Sequence, residues 1–242
     1  YEIVLYCRKG AKKKFDNKNI KYVFLDFEKP EKKLLHKIKL PKIFIYLAWS
    51  GVQNYNSLHH FETELNLHYK FIKYLIINGV EKVIVSGTCF EYGLKSGSLK
   101  ENCIPAPENS YGVSKNFLRQ QLFILKKFIP FNLIWLRLFY VYGEGQHNNS
   151  LYTSLKNAEK NNEAHFDMSG GEQIRDFIKV STVSELIVKI IFSKIENEII
   201  NICSSNPISV KNFVKDLIRC NDWKIKPKLG VFPYSPLEPM EF

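Results

Sequence analysis

The sequence predicts an α/β fold, a doubly wound parallel sheet with a smaller irregular C-terminal lobe. Short runs of apolar, β-branched or aromatic residues recur along the chain without strict alternation, which is typical of buried parallel strands. Segments with a helical hydrophobic period separate several of these runs, and such alternation of strands and helices indicates a parallel sheet. After Gly143 the pattern loosens into shorter helices and loops, which predicts the lobe.

The same spacing of apolar residues predicts the individual helices and strands. Residues 57–78 are predicted to form a helix, because their apolar residues share one stripe and Gly79 can end it. Residues 110–128 are predicted to form a second helix, with leucines at helical spacing and Pro130 just past its end. Six runs are predicted to be strands: residues 3–7, 22–27, 43–48, 83–85, 133–138 and 199–202.

The composition narrows the class of protein. The chain has 242 residues, of which 45% are apolar, so it can bury a sizeable core. Its apolar runs are far shorter than the roughly 20 residues of a membrane-spanning helix, which predicts a soluble protein without a membrane partner. Five scattered cysteines without a C-x-x-C pair argue against a disulfide framework and a zinc site. We therefore expect the reducing cytoplasm as the compartment.

The net charge of +11 is concentrated at the start of the sequence, where residues 1–42 hold 13 lysines and arginines against 5 acidic residues. Most of these cations are lysines in predicted turns and exposed helix, without the interleaved arginines and aromatic rings of a nucleic-acid surface. We therefore expect a solvated basic edge and no nucleic-acid partner. A site for a phosphorylated small molecule is the remaining alternative.

Residues that directly follow the strands are the candidates for a site, because sheets of this kind bind ligands at the carboxyl ends of their strands. Thr88 follows the fourth predicted strand, and Tyr111 begins the second predicted helix with Lys115 one turn later. A lysine ammonium beside a phenol favours the phenolate and lowers the tyrosine pKa from about 10 towards neutrality. Tyr111 could then exchange a proton with an oxygen that Thr88 also contacts. Taken alone, the spacing is more typical of a packed ring beside a solvated amine.

Three further polar residues lie four apart on one face of the first predicted helix: His60, Glu64 and His68. Such a set can in principle bind a metal, but no further ligand cluster accompanies it. We therefore predict a packed or interfacial helix face and no metal.

Several motifs occur together in a fixed order along the chain. They are Leu47-Ala-Trp-Ser-Gly51, Ser86-Gly-Thr-Cys-Phe-Glu-Tyr-Gly93, Tyr111-x-x-x-Lys115, Arg137-Leu-Phe-Tyr-Val-Tyr-Gly143 and Gly171-Glu-Gln-Ile-Arg-Asp-Phe177. This order and spacing resemble the extended short-chain dehydrogenase/reductase family, the NAD(P)-dependent epimerases, dehydratases and reductases of nucleotide sugars. Within it, the motifs look most like a bacterial branch that reduces nucleotide-linked 4-keto-6-deoxy sugars for surface polysaccharides.

The resemblance implies a Rossmann-like fold with two parts. Residues 1–143 are expected to bind NAD(P), and residues 144–242 to form the substrate lobe, with segments within residues 176–203 returning to the main sheet. The family's first strand and glycine-rich turn are expected upstream of Tyr1, and more of the lobe beyond Phe242. A homodimer through helices 57–78 and 111–128 is also implied.

The resemblance assigns the chemistry to three residues. It implies that Tyr111 is the acid/base, that Lys115 lowers its pKa and holds the nicotinamide ribose, and that Thr88 is the hydroxyl partner. The substrate-binding residues that it implies are Thr88, Tyr140, Asn149 and Arg175. Arg175 matches an arginine that grips the diphosphate, which suits a planar guanidinium fork, and a surface ion pair with Asp176 is the alternative.

The cofactor-binding residues that the resemblance implies are Arg8, Lys9, Asp26, Phe27, Leu47, Ala48, Trp49, Lys115 and Phe139. Asp26 and Phe27 match positions near the adenine, and Phe139 lies where the family packs the nicotinamide. NAD-specific members carry an acidic residue at the position of Cys7. Because two cations follow Cys7 and suit a 2′-phosphate, NADPH is favoured and NAD is the alternative.

The expected reaction is reduction of a nucleoside-diphosphate 4-keto-6-deoxy sugar, with hydride to C4 and Tyr111 as the proton donor. Family dehydratases carry an Asp-Glu pair directly after the hydroxyl residue, whereas Cys89 and Phe90 follow Thr88, so dehydration is disfavoured. Two alternatives stay open: an NAD-dependent C4 epimerase, and a non-catalytic remnant that binds a nucleotide sugar or a partner.

Overall fold

The computed structural model describes residues 2–8, 10, 12, 15–25, 40–234 and 239–241. Lys9, Asp26 and Phe27 lie outside the described residues, and of Arg8 only the backbone is described. The cofactor contacts predicted for these four residues therefore stay predictions.

The elements alternate along the chain much as the periods predict. In chain order they are β1 (Ile3–Arg8), β2 (Ile20–Leu25), β3 (Ile43–Tyr46), α1 (Leu65–Ile77), β4 (Lys82–Thr88), α2 (Ser110–Leu125), β5 (Asn132–Leu138), β6 (Tyr140–Tyr142), α3 (Leu151–Lys160), β7 (His165–Asp167), β8 (Ile174–Arg175), β9 (Phe177–Lys179), α4 (Val180–Phe192), β10 (Ile199–Ile202), β11 (Ile208–Ser209), α5 (Val210–Cys220) and β12 (Lys226–Lys228). A π-helical turn (His60–Glu64) precedes α1, and a 3-10 turn (Cys89–Tyr92) follows β4.

Four of these strands form the central parallel sheet, in the order β10-β5-β4-β3. The register places Val85 of β4 opposite Trp135 of β5, and Thr88 opposite Leu138 where both strands end. β1 and β2 pair in parallel as a separate two-stranded sheet, whose Tyr6 packs edge-on against Phe44 of β3 at 5.6 Å between ring centres. The predicted parallel α/β architecture is confirmed.

Helices cover both faces of the central sheet. On one face, α1 and α2 pack their apolar stripes on the sheet, with Leu75 and Leu118 fully buried against Trp135. On the other face, α4 packs Ile187 against Ile134. Burial of one such aliphatic side chain contributes about 1.5–3 kcal/mol, so these two layers supply much of the stability that holds the strand ends in place.

The C-terminal lobe has its own apolar core, in which α3 and α5 meet through Leu155 and Val214, both fully buried. Phe177 of β9 stacks on Phe213 of α5 at 3.7 Å between ring centres. Because β9 also pairs with β6 directly after the central strand β5, the lobe is joined to the carboxyl edge of the main sheet. β10 lies farther along the chain than β6 to β9 and pairs with β5 in the central sheet.

Several boundaries differ from the sequence prediction; for example, β3 ends at Tyr46 rather than residue 48, and α2 ends at Leu125 rather than residue 128. Two further differences have clear physical reasons. β4 runs to Thr88 rather than Val85, because the backbones of Ser86 and Gly87 continue the pairing with β5 although their side chains are not apolar. The predicted helix over residues 57–78 begins at residue 60 as a π-helical turn and ends before Gly79, whose φ of 105° lies in the left-handed region. In the described part of the chain, none of the helices has the length and apolarity to cross a membrane.

Candidate active site

A cavity of about 610 Å³ opens where β4 and β5 end, between the central sheet and the lobe. It brings together most of the predicted site residues: Leu47, Trp49, Thr88, Tyr111, Lys115, Phe139, Tyr140, Asn149 and Arg175. Ala48 is not among the lining residues, because it packs against the apolar core beneath the sheet. Two exposed residues, Leu47 and Asn149, lie at the rim.

Thr88 is held in place by the turn that follows β4. Its Oγ1 accepts a hydrogen bond from Phe90 N at 3.3 Å, and its own N donates to Glu91 Oε1 at 3.0 Å. The Glu91 carboxylate is fully buried and also accepts from Trp135 Nε1 at 2.8 Å and Arg137 Nε at 3.0 Å. Thr88 is therefore fixed by a carboxylate that is itself anchored in the next strand.

Tyr111 is positioned by the start of α2. Asn109 caps the helix, its Oδ1 accepting from Gly112 N at 2.8 Å, and Tyr111 N donates to Tyr55 O at 2.9 Å. A Cβ at Gly112 would lie only 2.7 Å from the Phe90 carbonyl oxygen. The glycine thus lets the helix start sit directly on the turn after Thr88.

Lys115 lies one turn farther along α2 and is 1% exposed. Its Nζ donates to Ser86 O at 2.9 Å, lies 4.3 Å from the centre of the Trp49 ring and 5.8 Å from the centre of the Tyr111 ring. Burial lowers the pKa of Lys115 to about 7, against the opposing attraction of Glu91 and Glu64. A buried amine that titrates near neutrality in a cavity is characteristic of functional sites.

The predicted lowering of the Tyr111 pKa does not hold in this structure. Burial raises the pKa of Tyr111, and the nearby Tyr55, Cys89 and Glu91 add to the rise, while a hydrogen bond with Thr88 opposes it. The Lys115 ammonium is directed at the Ser86 carbonyl, so it does not offset the lost solvation of a phenolate. Tyr111 is therefore held as a neutral phenol beside the Thr88 hydroxyl.

Arg175 lies in the lobe wall of the cavity, where β8 ends. Arg175 is only 2% exposed. Its guanidinium carbon lies 5.1 Å from the centre of the Tyr140 ring, and one guanidinium nitrogen donates to Ile174 O at 2.8 Å. Asp176 is 5% exposed and accepts from Ser204 N at 2.6 Å. Since both charged residues are buried, the alternative of a surface ion pair does not fit.

Spacing predicted a packed helix face for three polar residues beside this cavity, but it did not predict the hydrogen bonds that they form. His60, Glu64 and His68 are buried against Trp49, as their shared helix face allows, but they also form hydrogen bonds that spacing alone does not reveal. The Gln146 side chain is hydrogen-bonded to β6, with Nε2 donating to Val141 O at 2.8 Å. Among the described residues, no group of three or more His, Cys, Asp or Glu could hold a metal ion.

A model of the NAD dependent epimerase/dehydratase family matches residues 1–203. The chain belongs to this family. The predicted family and the class of enzyme, an NAD-dependent oxidoreductase or epimerase, are thereby confirmed.

Two curated relatives come from Aggregatibacter actinomycetemcomitans. The chain is 33% identical over 215 residues to a dTDP-6-deoxy-L-talose 4-dehydrogenase (NAD(+)), with 88% of this chain and 79% of the relative covered. It is 32% identical over 130 residues to a GDP-6-deoxy-D-talose 4-dehydrogenase, with 53% of this chain and 43% of that relative covered.

Solved structures of the epimerase type share the fold. A UDP-N-acetylglucosamine 4-epimerase from Methanobrevibacter ruminantium M1, in complex with UDP-N-acetylmuramic acid, gives a TM-score of 0.83 at 20% identity, covering 100% of this chain and 81% of that one. A UDP-glucose 4-epimerase with UDP-glucose from Thermotoga maritima gives 0.81 at 18% identity, covering 100% and 82%. At these identities the likeness shows the Rossmann-like fold alone.

Proposed function

We propose that this protein is a reductase of a nucleoside-diphosphate 4-keto-6-deoxy sugar, in which a nicotinamide cofactor supplies the hydride and Tyr111 the proton. The observation that carries the proposal is the meeting of Thr88, Tyr111 and Lys115 in one cavity, where Tyr111 is hydrogen-bonded to Thr88 and Lys115 Nζ lies 5.8 Å from the Tyr111 ring centre. Similarity to a 4-dehydrogenase of a dTDP-linked 6-deoxy sugar supports C4 as the reacting carbon.

The residues around the cavity fit a nicotinamide cofactor, with residues 1–143 as the cofactor-binding part and residues 144–242 as the substrate lobe. Lys115 can donate to ribose hydroxyls, and the rings of Trp49 and Phe139 line the same cavity. Gly87 also lines the cavity and presents no side chain to a bound cofactor. A Cβ at this position would lie 2.1 Å from Trp135 Nε1, so the packing of β4 on β5 also requires the glycine. When bound, the cofactor supplies the hydride.

The protonation state of Tyr111 suits a proton donor. A buried phenol whose pKa is raised stays protonated at neutral pH, and the protonated form is the one that can donate to the oxygen that forms at C4. Thr88 offers a second hydroxyl to the same oxygen. Glu91, the acidic residue of the turn after Thr88, is bound to Trp135 and Arg137, which argues against its use as a base in dehydration.

The lobe side of the cavity suits the rest of the substrate. Arg175 offers a guanidinium fork for the diphosphate, and Asn149 lies at the open rim. Tyr140 and Phe90 meet edge-on at 6.3 Å between ring centres. Such an aromatic wall favours a sugar that carries a methyl group at C6 over one with a hydroxyl there.

The preferred cofactor is NADPH in this proposal. The support is in the sequence, where Cys7 stands near the end of β1 without an acidic side chain and the cations Arg8 and Lys9 follow it. The name of the 33% identical relative, which specifies NAD(+), favours the alternative. Parallel titrations with NADPH and NADH separate the two, and a lower dissociation constant for NADH would contradict the NADPH assignment.

The same proposal extends to the protein's setting. All five cysteines are free, which suits the reducing cytoplasm, where nucleotide sugars for surface polysaccharides are made. Exposed apolar residues on the predicted dimer helices, Phe117, Ile124 and Ile77, support a homodimer through α1 and α2. Light scattering is expected to give a dimer, and Phe117→Glu a monomer.

The test of the proposed reaction is incubation of the protein with nucleoside-diphosphate 4-keto-6-deoxy sugars and reduced cofactor. We expect one equivalent of reduced cofactor to be oxidised for each sugar reduced. The fold shared with 4-epimerases favours the C4 epimerase as the second candidate, which would turn over without net cofactor consumption. Binding of the nucleotide sugar without any turnover would instead indicate a non-catalytic remnant.

A further inference from the structure

A cluster of buried polar side chains lies beneath Trp49, outside the pair that transfers the proton. Glu64 is 5% exposed and His68 is 2% exposed, and both come from the helical segment that packs on the central sheet. Tyr46, at the end of β3, is equally buried and lies beside them. Burying three polar groups lowers stability unless each is hydrogen-bonded. We therefore expect each of these side chains to have a hydrogen-bond partner.

The three side chains form one chain of hydrogen bonds. His68 Nε2 lies 2.9 Å from Glu64 Oε2, and because a carboxylate only accepts, this nitrogen carries the proton. His68 Nδ1 forms the next hydrogen bond of the chain, with the Tyr46 hydroxyl. Ser50 N, in the loop that carries Trp49, donates to the same Glu64 oxygen at 2.8 Å. Burial raises the pKa of Glu64, but the hydrogen bonds from His68 and Ser50 outweigh it and hold the pKa at about 2.

Trp49 contacts both this cluster and Lys115. Its ring stacks on His68 at 4.5 Å between ring centres, with 27° between the planes. Lys115 Nζ lies 4.3 Å from the ring centre. The indole Nε1 donates to His60 Nδ1 at 3.0 Å, and His60 Nε2 in turn donates to Asn54 O at 3.0 Å. Both the plane and the rotation of the indole are thus fixed.

We propose that Tyr46, Glu64 and His68 are positioning residues, which hold Trp49 against Lys115 and keep the Lys115 ammonium charged for binding the nicotinamide cofactor. The proposal rests on the proposed function, in which Lys115 donates to the cofactor. Its physical content is electrostatic, since the indole face and the buried Glu64 carboxylate replace part of the water that the ammonium has lost.

Four titratable groups face Lys115 from the surrounding elements of the described structure. Glu64 lies before α1, Glu91 in the turn after β4, His60 beside Trp49, and Tyr111 on the same helix. Glu91 forms ion pairs with Arg119 and Arg137, so neutralising it would also remove the carboxylate partner of both arginines. Glu64 is therefore the charge whose removal tests the proposal.

The experiment measures the dissociation constant of the cofactor by calorimetry as a function of pH, without substrate. Affinity is expected to fall as the pH rises through the pKa of Lys115. Glu64→Gln keeps the shape but removes the charge, so the midpoint of this fall is expected about half to one pH unit lower than in the wild type. Glu62→Gln removes an exposed charge from the same helical turn and should leave the midpoint unchanged. Glu64→Asp, which keeps the charge, should restore it towards the wild-type value.

A midpoint in Glu64→Gln equal to that in Glu62→Gln and the wild type would overturn the proposal while leaving the proposed function intact. Absence of cofactor binding in the wild type would overturn both. If circular dichroism shows that Glu64→Gln does not fold, Tyr46→Phe provides the test, because it removes only the hydroxyl that is hydrogen-bonded to His68. Its cofactor affinity is expected to be about two- to five-fold weaker, and an unchanged affinity would overturn the proposal.

Discussion

Replacing Lys115 with Met removes a buried positive charge that lowers the free energy of unfolding of the native protein. Burial lowers the pKa of Lys115 from its ordinary value of 10.5 to about 7. Between these two values the unfolded chain binds a proton that the native protein does not, so stability rises with pH across this window. The destabilisation is fully present below about pH 7 and is lost as the pH approaches the unfolded pKa. Methionine has an unbranched apolar side chain that suits the buried site.

The size of the effect follows from the pKa of Lys115. A fall from 10.5 to about 7 corresponds to a destabilisation of about 4 to 5 kcal/mol near neutral pH. The substitution also loses the hydrogen bond to Ser86 O and the contact with the Trp49 ring, which together offset about 2 to 3 kcal/mol. We therefore expect Lys115→Met to raise the free energy of unfolding by about 2 kcal/mol at about pH 6, although it abolishes function.

Urea unfolding followed by circular dichroism, from about pH 6 to about pH 10, measures this difference. The advantage of Lys115→Met over the wild type should shrink and then reverse as the pH rises. Lys127→Met, at an exposed lysine just after α2, is the matched control and should follow the wild-type curve. A difference between Lys115→Met and the wild type that stays constant over the range would refute the reasoning.

Three further substitutions test the site. Tyr111→Phe should lower turnover by roughly 10²- to 10⁴-fold in the assay of cofactor oxidation, with calorimetry showing unchanged nucleotide-sugar binding, and retained turnover would contradict its role as proton donor. Gly112→Ala places a Cβ 2.7 Å from the Phe90 carbonyl and should cost about 1 to 3 kcal/mol in urea unfolding, whereas wild-type stability would contradict the tight docking of α2. Arg175→Lys loses the planar fork and should raise KM about ten-fold with little change in kcat, and an unchanged KM would argue against a diphosphate contact.

Much of the fold could be predicted because the spacing of apolar residues along the sequence shows which residues of a helix or strand are buried. The strand over residues 199–202 has the predicted bounds, and the helix that Gly79 follows ends within a residue of its predicted end. The end of β4 was not predictable in this way, since Ser86, Gly87 and Thr88 are held by backbone pairing rather than by apolar side chains. Motif order brought Thr88, Tyr111 and Lys115 to one cavity, because residues at strand ends and at the following helix start share an edge of the sheet.

The electrostatics of the site could not be predicted from spacing. Residues four apart on a helix are neighbours, but whether Lys115 lowers the Tyr111 pKa depends on solvation and on where the ammonium is directed. Here the ammonium is directed at Ser86 O. Burial decides the direction of the pKa shift for both Tyr111 and Lys115. The hydrogen-bond chain from Tyr46 to Glu64 joins residues 18 positions apart in sequence, and periodicity within a single element gives no signal for it.

The central claim is that hydride and proton are delivered to the two ends of a C4 carbonyl in the cavity between Lys115 and Arg175. The most direct measurement uses a reduced cofactor that carries deuterium at the transferable position, with a nucleoside-diphosphate 4-keto-6-deoxy sugar as the acceptor, and locates the label by NMR. We predict deuterium at C4 of the sugar with equimolar oxidised cofactor, and no labelled product from Tyr111→Phe. Deuterium at another carbon, or a sugar epimerised at C4 while the label stays on the cofactor, would contradict it.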